Sequence, residues 1–152
     1  MIKDFFEDYH IGETFRSPGR TITEADINAY CGLTGDWWEG HTNIEFAKKG
    51  PFGERIAHGM LTLCVGTSLL FRLGDNVFLP RSFIANYGID KLRYTAPVMI
   101  DDTIRCEAEV IEMTPKDDNR GVLVYDIRIL NQRDEKVLVF LEKVLVKRRP
   151  GR

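Results

Sequence analysis

Cysteine is scarce in this chain. Cys31, Cys64 and Cys106 are the only three in 152 residues, too few and too scattered for a disulfide framework. No pair has the close spacing of a zinc site. Cys64 and Cys106 sit in apolar contexts, where a free thiol acts as a small hydrophobe. An excess of one charge is also missing: 21 basic against 23 acidic side chains leave a net of −2. That balance argues against a general nucleic-acid binder. The one dense basic run, Lys147-Arg148-Arg149 with Arg152, reads as a solvated tail. No stretch reaches the roughly 18 uncharged apolar residues of a membrane span. The acidic opening, residues 1–8, lacks the apolar run of a signal peptide. The expectation is a reduced, cytoplasmic chain with no nucleic-acid or membrane partner. A Gly-rich phosphate loop, a Gly-x-Ser-x-Gly turn and a His-Glu-x-x-His pair are all absent from the sequence, which removes the chemistries those motifs serve.

What is present is ordinary globular material, 43% apolar and 29% charged, long enough for one self-sufficient core. A single domain over 1–152 is expected. Thr23-Glu24-Ala25-Asp26 reads as a helix start with Thr23 as N-cap, and the helix runs to Gly32 or Gly35. Leu33 to Gly40 reads as a loop, and Asn43 to Lys49 as a short helix closed by Gly50-Pro51. From His58 to Leu73 only Arg72 is charged, and apolar side chains occur on every face, the pattern of a buried helix. Three strands follow from period-two alternation around 103–112, 123–129 and 137–147, separated by polar turns. Ser82 to Val98 is a further extended stretch, ended by Pro97. A one-face-buried antiparallel sheet with one buried helix implies an α+β fold in which the sheet curls around that helix.

Few residues can do chemistry. His10 lies in a turn-like stretch and reads as surface. Asp36 and His41 flank Trp37-Trp38-Glu39-Gly40. On one continuous helix, residues five apart diverge by about 140°, but a glycine-bracketed loop can turn both toward one pocket. A carboxylate beside an imidazole can hold a water, take its proton and deliver a proton elsewhere. An Asx-turn aspartate beside a surface histidine is the plainer reading of the same spacing. Gly59 opens the buried helix, so its N–H is an unpaired first-turn donor at the positive end of the dipole. That suits a developing oxyanion; tight helix–sheet packing is the alternative. His58 reads as a residue fixing the helix start.

Taken together, Thr34-Gly35-Asp36-x4-His41-Thr42-Asn43, Phe46-Ala47, Pro51-Phe52-Gly53 and Ile56-Ala57-His58-Gly59-Met60-Leu61 closely resemble the MaoC-like (R)-specific enoyl-CoA hydratase family. Tyr94-x-Ala96-Pro97-Val98, Asp102-Thr103 and Asn131-Gln132 extend the resemblance over nearly the whole chain. Trp38-Glu39-Gly40 stands where the family usually carries Asn-Pro, and Asn43 where Asp is common. The resemblance implies a hot-dog fold, an antiparallel sheet wrapped around a long central helix. It implies that Asp36 and His41 are catalytic, activating water for attack at C3 of a trans-2-enoyl thioester and handling the C2 proton. It places Gly59 at the thioester oxygen and Thr67 near the catalytic pair. Trp37 and Trp38 are expected to bound the acyl pocket, since pockets are lined by aromatic and apolar groups. No cofactor and no metal are expected, and the partner is an acyl-CoA or acyl-carrier thioester. A homodimer, or an assembly of dimers, is expected to pair the open sheet edges. A hot-dog thioesterase and a non-catalytic acyl-thioester-binding subunit are the competing functions.

Overall fold

The computed structural model describes residues 2–151. Two short strands, β1 (Thr14–Arg16) and β2 (Arg20–Thr21), precede α1 (Glu24–Thr34). Two single-turn helices follow, α2 (Glu39–Thr42) and α3 (Ile44–Ala47), then α4 (Gly59–Ser68), which tightens into a 3-10 turn over Leu69–Leu73. The long strands β3 (Phe83–Tyr94), β4 (Thr103–Pro115), β5 (Arg120–Leu130) and β6 (Lys136–Lys147) complete the chain. The sheet is antiparallel, in the order β1-β4-β5-β6-β3, with β2 also on β4. This is the curled, helix-bearing sheet of the hot-dog fold, α+β in class.

Alternation does the folding work. Ile104, Cys106, Ala108 and Val110 of β4, with Leu123, Tyr125, Ile127 and Ile129 of β5, are buried and meet Leu61, Leu63, Val65, Leu69 and Leu70 from α4 and its extension. Each Val, Leu or Ile among them contributes about 1.5–3 kcal/mol on burial. Thr23 caps α1: its hydroxyl accepts from the Asp26 N–H and the Asp26 carboxylate accepts from the Thr23 N–H. Gly35 closes the same helix at a φ of 76°.

Several expectations change. The helix over 58–73 is α-helical only to Ser68, and it is not buried all round. Met60, Cys64 and Ser68, at spacings of four, form an exposed stripe. This chain's own sheet covers only the opposite side, so Cys64 is not a core thiol, whereas Cys106 is. The strand in 82–98 stops at Tyr94, three residues before Pro97. The 33–40 loop shrinks to residues 35–38, because Glu39–Thr42 forms a helical turn. β1 and β2 are too short to show a period. The basic run is not a free tail: Arg148 and Arg149 pair with Glu7 and Asp8. Arg152 lies outside the described residues.

Candidate active site

Three segments are tied together at one end of the sheet, and Ile56 is the knot. Its N–H donates to the Gly40 carbonyl at 3.3 Å, its carbonyl accepts from the His41 ring, and it bridges Met99. Ala57 donates to the Val98 carbonyl at 2.7 Å, and Thr95 to the Val137 carbonyl at 3.0 Å. The 95–102 crossover is anchored by buried Asp102. Its carboxylate accepts from the Met99 N–H, the Gln132 amide and the Arg133 guanidinium. Burial alone would raise the Asp102 carboxyl, but these bonds outweigh it and hold it below its ordinary value.

The cavity enclosed by these segments measures about 530 Å³. Asp36, His41, His58 and Gly59 line it, with Tyr30, Thr62, Tyr94 and an apolar wall that includes Met60, Val98 and Val137. Candidate ligand atoms of Asp36, His41 and His58 all lie within 4.8 Å of one another. Asp36 and His41 thus reach one space, and the means is a bend at 35–38 followed by the α2 turn. Thr67, Trp37 and Trp38 do not line the cavity. The Thr67 hydroxyl donates to the Leu63 carbonyl at 2.9 Å, about one and a half turns beyond Thr62, which does line the cavity. Trp37 and Trp38 are both exposed, and Trp38 packs edge to face against His41.

Hydrogen bonding fixes the His41 tautomer. Nδ1 lies 2.7 Å from the Ile56 carbonyl oxygen, which can only accept, so Nδ1 carries the proton. A neutral imidazole then offers its Nε2 lone pair elsewhere. Burial pushes the His41 pKa below its ordinary value; the Ile56 bond opposes this, and nearby His58 adds to it. The lowered pKa favours the neutral ring, which leaves Nε2 able to accept a proton. Asp36 is half exposed, and its carboxylate accepts from the Trp38 N–H at 3.3 Å.

His58 was readable only as a helix-start residue, and it is more than that. It is 2% exposed, its Nε2–H donates to the Asp36 carbonyl at 3.1 Å, and its ring lies on that of His41 with centroids 3.8 Å apart. Tyr30 stacks on it from the side of α1, and the Cys31 sulfur is 3.7 Å from Nε2. Its direct junction with Gly59 was the one signal in the sequence. Asp36, His41 and His58 also form a set that could hold a metal ion; on His58, Nε2 is bonded to the Asp36 carbonyl and Nδ1 is buried without a hydrogen-bond partner among the described residues.

Gly59 begins α4, so its N–H has no intrahelical partner. The glycine is required by close approach: a Cβ there would lie 2.6 Å from Cε1 of Tyr94.

Comparison with known proteins agrees with this arrangement. Residues 7–132 match the family model described as "MaoC like domain". Protein MaoC of Klebsiella aerogenes is 36% identical over 103 residues, 68% of this chain. The chain spans only 29% of that protein's length. The (R)-specific enoyl-CoA hydratase of Rhodospirillum rubrum is 33% identical over 76% of each chain. A solved structure titled as a monoamine oxidase regulatory protein from Archaeoglobus superposes with a TM-score of 0.91 at 38% identity, covering 99% of this chain and 98% of that one. A match over residues 7–132, together with a fold shared almost end to end, places this chain in the MaoC-like domain family.

Proposed function

We propose that the protein is an (R)-specific hydro-lyase that interconverts trans-2-enoyl thioesters and 3-hydroxyacyl thioesters. The acyl group is carried by CoA or an acyl-carrier protein. One observation carries the reading: an imidazole held neutral with Nε2 free shares a largely apolar cavity with a carboxylate and an unpaired helix N-terminal N–H. The hydratase name borne by the Rhodospirillum relative supports it.

In the hydration direction, water rests between Asp36 and His41. His41 Nε2 takes one proton as the water oxygen bonds to C3. The C2=C3 π electrons move toward the thioester carbonyl, and its oxygen gains negative charge facing the Gly59 N–H, where the dipole of α4 is positive. The pair then returns a proton to C2, so the sum is one water added. Positioned proton transfer of this kind is worth about 10²–10⁴-fold. A conjugated enoyl thioester loses its ultraviolet absorbance on hydration, whereas free thiol appears only on hydrolysis. Absorbance loss without thiol release supports the hydratase; thiol release would favour a thioesterase, and binding with neither would favour a carrier.

The working unit is a homodimer. β3 is a 12-residue edge strand with 11 of its residues exposed, Phe83, Ile84, Tyr87, Ile89 and Tyr94 among them. The Met60 and Cys64 stripe of α4 is open as well. An apolar edge of this length invites pairing, and a second copy of the same edge satisfies it. Light scattering at micromolar concentration should give twice 17.5 kDa or a multiple of that dimer; a monomer would contradict it.

A further inference from the structure

We propose that Trp38 is a positioning residue for His41, and that Gly40 is glycine in order to admit it. The His41 ring is gripped on two sides by elements already described, the Ile56 carbonyl at Nδ1 and the His58 face. The Trp38 indole also packs edge to face against it, with centroids 5.0 Å apart and planes at 77°, and Phe46 packs against the indole at 6.0 Å. The indole reaches that place only by crossing the space where residue 40 would carry a side chain. A Cβ on Gly40 would fall 2.0, 2.3 and 2.5 Å from three of the indole's carbons. Gly40 is itself buried in the α2 turn, and its carbonyl accepts from Ile56, so the backbone cannot retreat. The indole is the part that can move, being 53% exposed. Trp38 therefore keeps water from one side of His41, consistent with burial as the main cause of that ring's lowered pKa.

The charged and titratable groups facing His41 are Asp36 from the bend after α1 and His58 from the head of α4. Tyr30 and Cys31 lie behind His58, and Glu39 sits on the same turn as His41. Trp38 contributes no charge, so its effect on His41 is exclusion of water and restraint of the ring.

The kinetic consequence rests on the reading of His41 as the base, and a spectroscopic test does not. With Trp37→Phe, Trp38 is the sole indole of the chain. A protonated imidazole in contact quenches indole emission. Emission of this variant should titrate with a midpoint below 6.5, the ordinary histidine value, and adding His41→Gln should abolish that titration. In otherwise wild-type protein, Trp38→Ala and Gly40→Ala should each move the acid limb of kcat/KM to higher pH and lower kcat roughly 10- to 100-fold, the scale of a small misplacement. Trp38→Phe should retain most of the activity. The double variant should match Trp38→Ala alone in both kcat and acid limb. Three results would overturn the proposal: emission that titrates equally without His41, an acid limb unmoved by Trp38→Ala, or Gly40→Ala and Trp38→Ala effects that add. If no thioester is turned over at all, the emission titration decides alone.

Discussion

The rings of His41 and His58 lie face on face, 3.8 Å between centroids and 34° between planes. Two positive charges about 4 Å apart at an effective dielectric of 20 repel by about 4 kcal/mol. A charge on His58 therefore opposes protonation of His41. His58 also holds the Asp36 backbone through its Nε2–H, so a single buried side chain touches both proposed catalytic residues. His58→Asn should lower kcat by about tenfold or more and shift the acid limb of kcat/KM upward, because one cause of the lowered His41 pKa is gone. A role confined to helix packing would lower the melting temperature and leave the limb in place.

The pH dependence has a fixed sign. His41 acts as the neutral base, and its pKa lies below the ordinary value. Activity should persist below pH 6.5 and fall only as His41 charges. The unfolded chain binds that proton at higher pH than the folded chain, so His41 also makes stability fall on acidification below about 6.5. His41→Gln should flatten this part of a plot of melting temperature against pH. A plot of unchanged slope would show that His41 is not the group titrating.

Gly59→Ala tests the opening of α4. The new methyl meets Tyr94, and overpacking of this kind costs about 1–3 kcal/mol. Melting temperature and turnover should both fall, and Tyr94→Leu in the same chain should restore the melting temperature. Failure of that rescue would place the strain elsewhere.

Asp102 is the anchor of the crossover that forms one cavity wall. Asp102→Ala leaves the Met99 N–H and the Gln132 amide without their acceptor, a loss of about 1–3 kcal/mol for a buried group. Because its carboxyl is held below the ordinary value, its contribution is present near neutrality and is lost as pH falls through the folded pKa. Denaturant midpoints for wild type and Asp102→Ala should therefore converge in acid. Midpoints separated equally at all pH values would deny the charge a part.

Much of this was legible in the chain. The alternation of Ile104 to Val110 and of Leu123 to Ile129 gave the core face of two strands, and Thr23 marked the start of α1 correctly. Asp36, His41 and Gly59 line one cavity, as the family resemblance implied, whereas the spacing of Asp36 and His41 alone favoured an Asx-turn aspartate beside a surface histidine. What escaped reading depended on contacts distant in sequence. The stack of His58 on His41 needs Ile56 to bind the α2 turn, and no local pattern encodes that bond. The exposed stripe of Met60 and Cys64 is apolar like the rest of α4, because composition does not say whether a face meets its own sheet or another surface. Thr62 lines the cavity and Thr67 does not, a difference of one and a half turns that spacing from the family motif left unresolved.

The most direct test is hydration of a short trans-2-enoyl thioester by wild type, Asp36→Asn, His41→Gln and the double variant, with melting temperatures measured on the same samples. Each single change should reduce kcat by about 10² or more while the fold persists. The double variant should be scarcely worse than either, because two groups acting on one water are strongly non-additive. Near-wild-type turnover by folded Asp36→Asn protein would contradict the account.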